Sequence, residues 1–189
     1  MQEVPGLQIT WQKSRGVVLF ADLGSFFPLA HKISLEELSV LLQAFYSLCA
    51  GEIRRQKGEV IAFVGDGALA FFRQEACCGM DPEWCATRAA FHMMKGFKKT
   101  GFELDLNIGI NSGEVIEGKW ELDGRNHGTV LGDVVNRAAI LAGGKCKGIH
   151  VTKPVFQVLG PRVNFEKAAI RFPGTTEEET IYRLMSLVL

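Results

Sequence analysis

The chain has 189 residues, 47% of them apolar and 22% charged, and its 21 basic and 21 acidic side chains give zero net charge. This length suits one domain with its own apolar core, and a charge balance without basic excess disfavours a dedicated nucleic-acid-binding protein. The apolar runs are too short to cross a membrane and the N-terminus lacks a signal-peptide pattern, so we expect a cytoplasmic protein.

Residues 1–14 are predicted to form an N-terminal arm, and residues 15–189 one domain. The run "GVVLFADL" (Gly16–Leu23) is long enough for a buried strand and too short for a helix. Ser34 and Glu37 then form the S-x-x-E pattern of a helix capping box. Apolar residues recur behind this pattern at helical spacing, which predicts a helix to about Gln56.

Gly58 follows that helix and is predicted to be its left-handed C′ residue. The stretch "EVIAFVGDGALAFF" (Glu59–Phe72) predicts two strands joined by a tight turn at Gly65–Gly67, because Asp-Gly between β-type runs is a hairpin signal. Asp81 and Pro82 form an N-cap and first-turn pair that begins the next helix.

The second half of the chain continues to alternate strands and helices. The stretch "FELDLNIGI" (residues 102–110) has Leu or Ile at every second position, as expected for a half-buried strand. The stretch "GTVLGD" (Gly128–Asp133) predicts a strand that leads into a helix ending at Gly143-Gly144. The remaining predicted elements are a strand at "GIHV", a short helix at Pro154–Leu159, and strands near Val163–Glu166 and Glu179–Leu184. This order predicts an α/β or α+β sheet covered by helices.

Five cysteines occur, an odd number without a disulfide-framework spacing, which indicates reduced thiols. Three of them lie close enough in sequence to contribute to a metal site as an alternative, but no His follows at zinc-finger spacing. The five are Cys49, Cys77, Cys78, Cys85 and Cys146, and the three close together are Cys77, Cys78 and Cys85.

Two acids stand where burial alone does not favour a carboxylate. Asp22 ends the first apolar strand and Asp66 lies in the hairpin turn, and a buried, unpaired charge is costly. Asp66 can simply form the turn, and Asp22 can cap the turn after its strand. Alternatively, both carboxylates point at one or two divalent cations, because hard oxygen ligands completed by substrate phosphates suit Mg²⁺.

Four blocks carry a family resemblance, and they occur in the order "VVLFADLGSFFPLA", "GEVIAFVGDGALAFF", "LDLNIGINSGEVIEG" and "RNHGTVLGDVVNRAA". Together they resemble the catalytic domain of class III nucleotidyl (adenylate/guanylate) cyclases, over roughly residues 15–184. The resemblance implies an α/β (α+β sandwich) fold with a βαββαβ ferredoxin-like, palm-type core, extra C-terminal strands and a head-to-tail homodimer. It also implies attack of the ribose 3′-oxygen of a nucleoside triphosphate on its α-phosphate, which yields a 3′,5′-cyclic nucleotide and pyrophosphate at an interface site.

The same resemblance implies roles for individual residues. Asp22 and Asp66 match the family's two metal-binding aspartates, and Leu23 matches a residue whose backbone carbonyl also reaches a metal, so two divalent cations (Mg²⁺ or Mn²⁺) are implied. Thr129 matches a base-recognition position. Asn136 matches the asparagine that orients the ribose, although a locally bonded amide is the alternative. Backbone N–H groups that meet the triphosphate are implied for Gly24, Ser25, Phe26 and Phe27.

The sequence departs from the family pattern at positions that are usually polar. Ala62 stands where the family has Lys or Glu to read the base, and alanine has no hydrogen-bonding side chain. Ile140 stands where the family has an Arg that stabilises charge on the transferring phosphate. Pro173 stands where the family has a phosphate-contacting Lys, and Phe27 stands where it commonly has a Thr.

Other basic residues are candidates to supply the missing charge. Arg137 lies three residues before Ile140, and residues at this spacing are neighbours on a helix surface. Lys145 and Lys147 follow that helix, and Arg171 precedes Pro173 by two residues. For each of them, a solvated surface cation is the competing interpretation.

Three functions fit these observations. The first is a working cyclase with a non-standard base pocket, and the second is a degenerate cyclase-homology domain that binds nucleotide or dimerises as a regulatory module. The third is a subunit that pairs with a different cyclase-homology domain, which supplies the missing Arg and Lys. Diguanylate cyclases fit less well, because the hairpin lacks their GG[DE]EF signature.

Overall fold

The structure is a computed structural model that describes residues 8–143 and 147–188. Its strands are β1 (Thr10–Gly24), β2 (Glu59–Val64), β3 (Gly67–Arg73), β4 (Asp105–Leu122), β5 (Arg125–Leu131), β6 (Ile149–Val151), β7 (Val163–Ile170) and β8 (Glu179–Leu187). Its helices are α1 (Phe26–Ala30), α2 (Leu35–Arg55), α3 (Pro82–Lys98), α4 (Asp133–Gly143) and α5 (Lys153–Leu159), with 3₁₀ turns at Glu75–Cys77 and Gly160–Arg162. None of the helices in the described ranges is long and apolar enough to cross a membrane.

The strands of the described residues form one mixed sheet. β2, β3, β1 and β4 lie side by side in that order, each antiparallel to its neighbour. Because α2 connects β1 to β2 and α3 connects β3 to β4, this is a βαββαβ ferredoxin-like core, and the predicted fold is confirmed. β6 runs parallel to β4, β8 and β7 extend the sheet beyond β6, and β5 pairs with the far end of β4.

Side-chain alternation along β1 separates two apolar layers. Val17, Leu19 and Leu23 are buried in the main core together with α2 and α3. Val18 and Phe20 lie in a second cluster with residues of α4. Asp22 continues the alternation of Val18 and Phe20, so its carboxylate belongs to the face of the sheet that α4 covers in part.

Helix α4 lies directly against β4 at a glycine. A Cβ atom placed on Gly109 would lie 2.0 Å from the carbonyl oxygen of Ala138 and 2.6 Å from Cβ of Leu141. Only a residue without a side chain allows this approach, which fixes the height of α4 above the sheet.

The predicted capping box of α2 is confirmed. Ser34 Oγ accepts a hydrogen bond from the Glu37 N–H at 3.1 Å, and the Glu37 carboxylate accepts one from the Ser34 N–H at 2.8 Å. These bonds to Ser34 lower the pKa of Glu37. Two of the orphan N–H groups at the helix start are therefore satisfied by the sequence itself.

The C-terminus of α2 corrects the prediction made for Gly58. Lys57, with φ 67°, is the left-handed C′ residue. Its N–H donates to the Arg54 carbonyl at 3.0 Å and the Gly58 N–H donates to the Ile53 carbonyl at 2.9 Å, which is the Schellman pattern. Gly58 is needed for a different reason, because a Cβ there would lie 2.5 Å from the ring of Phe72.

The first strand begins earlier than predicted, at Thr10 rather than Gly16, and it includes residues 10–14 that the sequence placed in the N-terminal arm. This segment pairs with the far half of β4, where Thr10 lies opposite Lys119. Its side chains are mostly exposed, so its apolar pattern is weak and backbone pairing with a long partner strand holds it.

The β2–β3 hairpin is confirmed, with Val64 opposite Gly67 across a two-residue turn. The left-handed residue of this turn is Gly65, with φ 57°, rather than Asp66. Asp81 and Pro82 begin α3 as predicted.

The later predicted elements are also present as β4 to β8, α4 and α5. The strand predicted for Gly128–Asp133 corresponds to β5, which ends at Leu131, and α4 begins at Asp133. Gly144, predicted as the end of α4, lies outside the described residues.

Candidate active site

The two acids predicted from the sequence lie at one corner of the sheet. Asp22 lies opposite Gly67 in the β1–β3 register, and Asp66 immediately precedes Gly67. The Leu23 N–H donates to the Asp66 carbonyl at 3.3 Å, which ties the turn to the end of β1. Burial, and then the charge of Asp66, raise the pKa of Asp22 to about 6. Two carboxylates that repel each other in a partly buried corner are relieved by a divalent cation, so this donor set fits Mg²⁺ or Mn²⁺.

The backbone ligand predicted for this corner is the carbonyl of Leu23. Leu23 is only 1% exposed over the whole residue and belongs to the main core, so the metal contact of its carbonyl remains a prediction. In the part of the chain that the structure describes, no three or more His, Cys, Asp or Glu side chains converge on one position. The alternative cysteine site therefore gains no support, and of its candidates Cys77 and Cys85 are buried whereas Cys78 is exposed.

The turn after Asp22 has the conformation of a tight entry into α1. Ser25 is left-handed, with φ 62° and ψ 23°. Gly24 leaves no room for a side chain, because a Cβ there would lie 2.9 Å from Nδ2 of Asn107. Phe26 packs against the main core, whereas Phe27 is 74% exposed and its ring stands edge-on to His31 at 4.5 Å. The backbone N–H groups of this turn remain predicted triphosphate contacts.

Ala62 lies beside the corner formed by Asp22 and Asp66, on the same face of the sheet as Asp22. Paired residues share a face, and the register aligns Ala62 with Leu69 and Leu69 with Phe20. This row is two residues, or about 7 Å, from the row that contains Asp22. A base at this position would meet alanine, leucine and phenylalanine side chains, with no donor or acceptor among them.

Two polar residues on this face were not singled out from the sequence. Asn107 lies opposite Asp22, is 6% exposed, and its Oδ1 accepts a hydrogen bond from the Gly148 N–H at 3.2 Å. Asp105 lies opposite Gly24 and binds Lys147 Nζ at 2.6 Å. The alternation in "LDLNIGI" could have predicted their position, since the polar residues of an alternating strand lie on the face opposite to the leucines. Lys147, a candidate phosphate contact, is therefore tied to Asp105 near the corner that contains Asp22 and Asp66.

Thr129 is not brought near the two acids. It pairs with Gly118 on β4, whereas Asp22 pairs with Asn107 on the same strand. Eleven residues of strand separate these positions, which corresponds to about 35 Å along β4. Thr129 and the Asp22–Asp66 corner of one chain therefore cannot contact the same small molecule.

Asn136 is exposed on α4 and lies one turn before Ile140. Both line a cavity of about 450 Å³ together with Phe172 and Pro173. Ile140 also packs against the apolar cluster around Leu141, Phe172 and Ile181. The position where the family has an arginine is thus apolar and in contact with an apolar cluster.

The basic residues considered as substitutes are differently placed. Arg137 donates to Asp133 at 2.6 Å and to Glu179 at 2.8 Å, and its guanidinium lies 4.5 Å from the ring centre of Phe172. Arg171 is exposed. Lys145, and the cysteine at position 146, lie outside the described residues.

The ferredoxin-like core and the carboxylate corner place the chain among the palm-type α/β domains. The sequence model of the "Adenylate and Guanylate cyclase catalytic domain" family matches residues 11–185. The chain belongs to this family.

Solved structures agree with the fold. The adenylyl cyclase CyaB from P. aeruginosa superposes with a TM-score of 0.82 at 22% identity, over 94% of this chain and 96% of that one. The guanylyl cyclase Cya2 superposes with a TM-score of 0.83 at 22% identity, over 94% of each chain. At this identity the likeness establishes the fold.

Curated relatives are longer proteins. The photoactivated adenylate cyclase subunit alpha of Euglena gracilis is 29% identical over 157 residues, covering 78% of this chain and 15% of that protein. An uncharacterised protein of Mycobacterium tuberculosis is 29% identical over 135 residues, covering 71% of this chain and 25% of that protein. The chain thus spans about a quarter or less of the length of these relatives.

Proposed function

We propose that the chain is a nucleotidyl cyclase domain that converts a nucleoside triphosphate to a 3′,5′-cyclic nucleotide and pyrophosphate. The observation that carries this proposal is the convergence of Asp22 and Asp66 at the end of β1, where mutual repulsion favours a bound divalent cation. Two such cations, when bound, would supply activation of the 3′-oxygen and neutralisation of the leaving phosphate. A cytoplasmic location is part of the proposal.

The residues of the corner have separate tasks in this proposal. Asp22, Asp66 and the Leu23 carbonyl hold the cations, and the turn from Gly24 to Phe27 presents N–H groups to the triphosphate. Asn136 orients the ribose so that its 3′-oxygen is in line with the α-phosphate. Thr129 is the polar group offered to the base.

The proposed active unit contains two chains in head-to-tail arrangement. About 35 Å of β4 lies between the level of Asp22 and that of Thr129, so Thr129 must come from the partner if it contacts a nucleotide bound at Asp22. The exposed position of Asn136 on α4 is compatible with the same arrangement. The partner is a second copy of this chain or another cyclase-homology domain.

The direct test incubates the purified chain with Mn²⁺ or Mg²⁺ and with ATP, GTP, CTP or UTP in turn, and detects cyclic nucleotide by chromatography and mass spectrometry. We expect a cyclic product that Asp22→Ala abolishes and that Glu103→Ala, at an exposed acid outside the corner, leaves unchanged. Product from none of the four nucleotides contradicts catalysis by the homodimer.

A second candidate function is a nucleotide-binding or dimerising regulatory module. It is favoured by Ile140, which packs against an apolar cluster where a transition-state arginine is expected. Thermal stabilisation by triphosphate plus metal without turnover supports this function. Ile140→Arg distinguishes the cyclase from the regulatory module, because it should raise the rate of a cyclase that lacks only this charge. Ile140→Gln is the control, since it adds a polar group without a charge. Activity that appears only on mixing with another cyclase-homology domain identifies a heterodimer.

A further inference from the structure

We infer that Tyr46 is a positioning residue that holds the hairpin turn carrying Asp66. The inference rests on the proposed metal site and adds a residue of α2 to it. Tyr46 lies 19 positions before Gly65 in the chain, and its hydroxyl donates a hydrogen bond to the Gly65 carbonyl. Gly65 is the left-handed residue of the turn, and Asp66 follows it directly.

A ring stack places the Tyr46 hydroxyl at the turn. The rings of Tyr46 and Phe63 are stacked with centres 4.3 Å apart and planes 25° apart. Phe63 is on β2, two residues before Gly65, and it lies opposite Ala68, whose side chain is in the main core under α2. The stack therefore fixes the tyrosine ring on one side of the hairpin while its hydroxyl reaches over the turn.

The turn is consequently held from two sides. From β1, the Leu23 N–H donates to the Asp66 carbonyl at 3.3 Å. From α2, the Tyr46 hydroxyl donates to the preceding carbonyl, that of Gly65. The peptide groups on both sides of the Asp66 Cα are thus bonded to different elements. This restricts rotation of the backbone that carries the Asp66 side chain. A metal ligand needs this restriction, because binding otherwise includes the entropy of ordering the turn.

The chain contains two tyrosines, which supplies a matched control. Tyr182 lies on β8 and stacks on Phe156 with ring centres 3.7 Å apart, away from the hairpin. Tyr46→Phe removes one hydroxyl and keeps the ring stack with Phe63, and Tyr182→Phe makes the same chemical change elsewhere. Any effect common to both variants is not specific to the turn.

The first measurement uses metal-free protein and hydrogen exchange followed by NMR. We expect Tyr46→Phe to accelerate exchange of the Leu23 amide about fivefold, because its acceptor lies in the turn, and to leave the amides of β7 and β8 unchanged. Tyr182→Phe leaves the Leu23 amide at the wild-type rate. Unchanged exchange of Leu23 in Tyr46→Phe overturns the inference.

The second measurement is Mn²⁺ binding in the presence of a non-hydrolysable ATP analogue, followed by electron paramagnetic resonance. Tyr46→Phe is expected to weaken Mn²⁺ binding about fivefold to tenfold, and Asp66→Ala to abolish it. Tyr182→Phe, the same chemical change away from the hairpin, should leave Mn²⁺ binding at the wild-type value. Equal losses of Mn²⁺ binding in the two tyrosine variants would overturn the inference.

These outcomes separate the inference from the proposed function. If Asp66→Ala abolishes Mn²⁺ binding and Tyr46→Phe changes neither binding nor exchange, only the inference fails. If Asp66→Ala leaves Mn²⁺ binding intact, the proposed metal site fails, and with it the metal role of Tyr46.

Discussion

Arg137 on α4 is bonded to Glu179 at the start of β8, with Arg137 Nη1 2.8 Å from Glu179 Oε2. The bond to Glu179, together with that to Asp133, raises the pKa of Arg137. The guanidinium also covers the ring of Phe172. This arginine is therefore engaged in joining α4 to the C-terminal strands, which argues against its replacing the arginine that is missing at position 140.

Loss of Arg137 is expected to affect stability more than catalysis. Arg137→Gln should lower the free energy of unfolding by about 1 kcal/mol, because it removes two partly exposed ion pairs and a ring contact. The rate of cyclic nucleotide formation should change less than about threefold. Chemical denaturation and initial rates measure the two effects, with Arg54→Gln on the exposed surface of α2 as the control. A large rate loss at unchanged stability would show that Arg137 contacts the phosphate.

A donor at position 62 is expected to create base selectivity. The wild-type row of Ala62, Leu69 and Phe20 offers no hydrogen-bonding group, so kcat/KM for ATP and GTP should be similar. Ala62→Lys should change the ratio of the two values about tenfold, in line with one added hydrogen bond in the site. Ala62→Met, which adds length without a donor, is the control. If the Lys and Met variants have the same ratio of kcat/KM for ATP and GTP, the base does not bind beside position 62.

Stability should depend on pH through Asp22 in metal-free protein. Burial and the charge of Asp66 raise its pKa from 3.8 to about 6, so the folded state binds this proton more tightly than the unfolded state. The stabilising contribution is fully present below the unfolded pKa and is lost as pH rises through about 6. We therefore expect Asp22→Asn to raise the Tm relative to wild type more at about pH 7.5 than at about pH 5, with chelator present.

The comparison with Asp22→Asn also removes other titrations from the result. Burial lowers the pKa of His150, and its protonation in the unfolded state reduces stability as pH falls below 6.5. Both proteins contain His150, so its effect cancels in the difference of their Tm values. A difference that is constant across this pH range would show that Asp22 is not perturbed. Saturating Mn²⁺ should reverse the sign of the difference, since the carboxylate then gains a counter-charge.

Substitution of Gly109 tests the packing of α4 on β4, and substitution of Gly51 is the control. Gly109→Ala should destabilise the fold by about 3 kcal/mol or more, because the new Cβ would lie 2.0 Å from the Ala138 carbonyl oxygen. Gly51→Ala, in the exposed surface of α2 with nothing within 4 Å of the new Cβ, should stabilise the fold by about 0.5–1 kcal/mol. Chemical denaturation of both variants gives the comparison. A tolerated Gly109→Ala would mean that α4 can move away from β4.

Local signals in the sequence predicted local structure well. Ser34 with Glu37 determined the start of α2, and the glycines around Asp66 determined the hairpin, since each signal is complete within a few residues. The sequence placed the left-handed C′ residue of α2 at Gly58, but Lys57 has that conformation, and Gly58 instead makes room for the ring of Phe72.

The long-range relationships could not be predicted from spacing. Tyr46 reaches Gly65 only because a helix and a hairpin stack, and Arg137 reaches Glu179 across 42 residues of chain. The exposed start of β1 lacks an apolar pattern, and only its partner strand reveals it. The order of the strands and the pairing of the two acids followed from the family resemblance, which supplied the topology that local patterns lack.

The length of β4 affects how the rate of cyclic nucleotide formation depends on the concentration of the chain. In the proposed dimer, Asp22 of one chain and Thr129 of the other complete each site, so a dilute solution of single chains holds no complete site. Well below the dissociation constant of the pair, the rate should therefore rise with the square of the chain concentration. Tethering two copies within a larger protein would replace the bulk concentration by an effective local concentration. The geometry of the tether would then determine the rate of cyclic nucleotide formation.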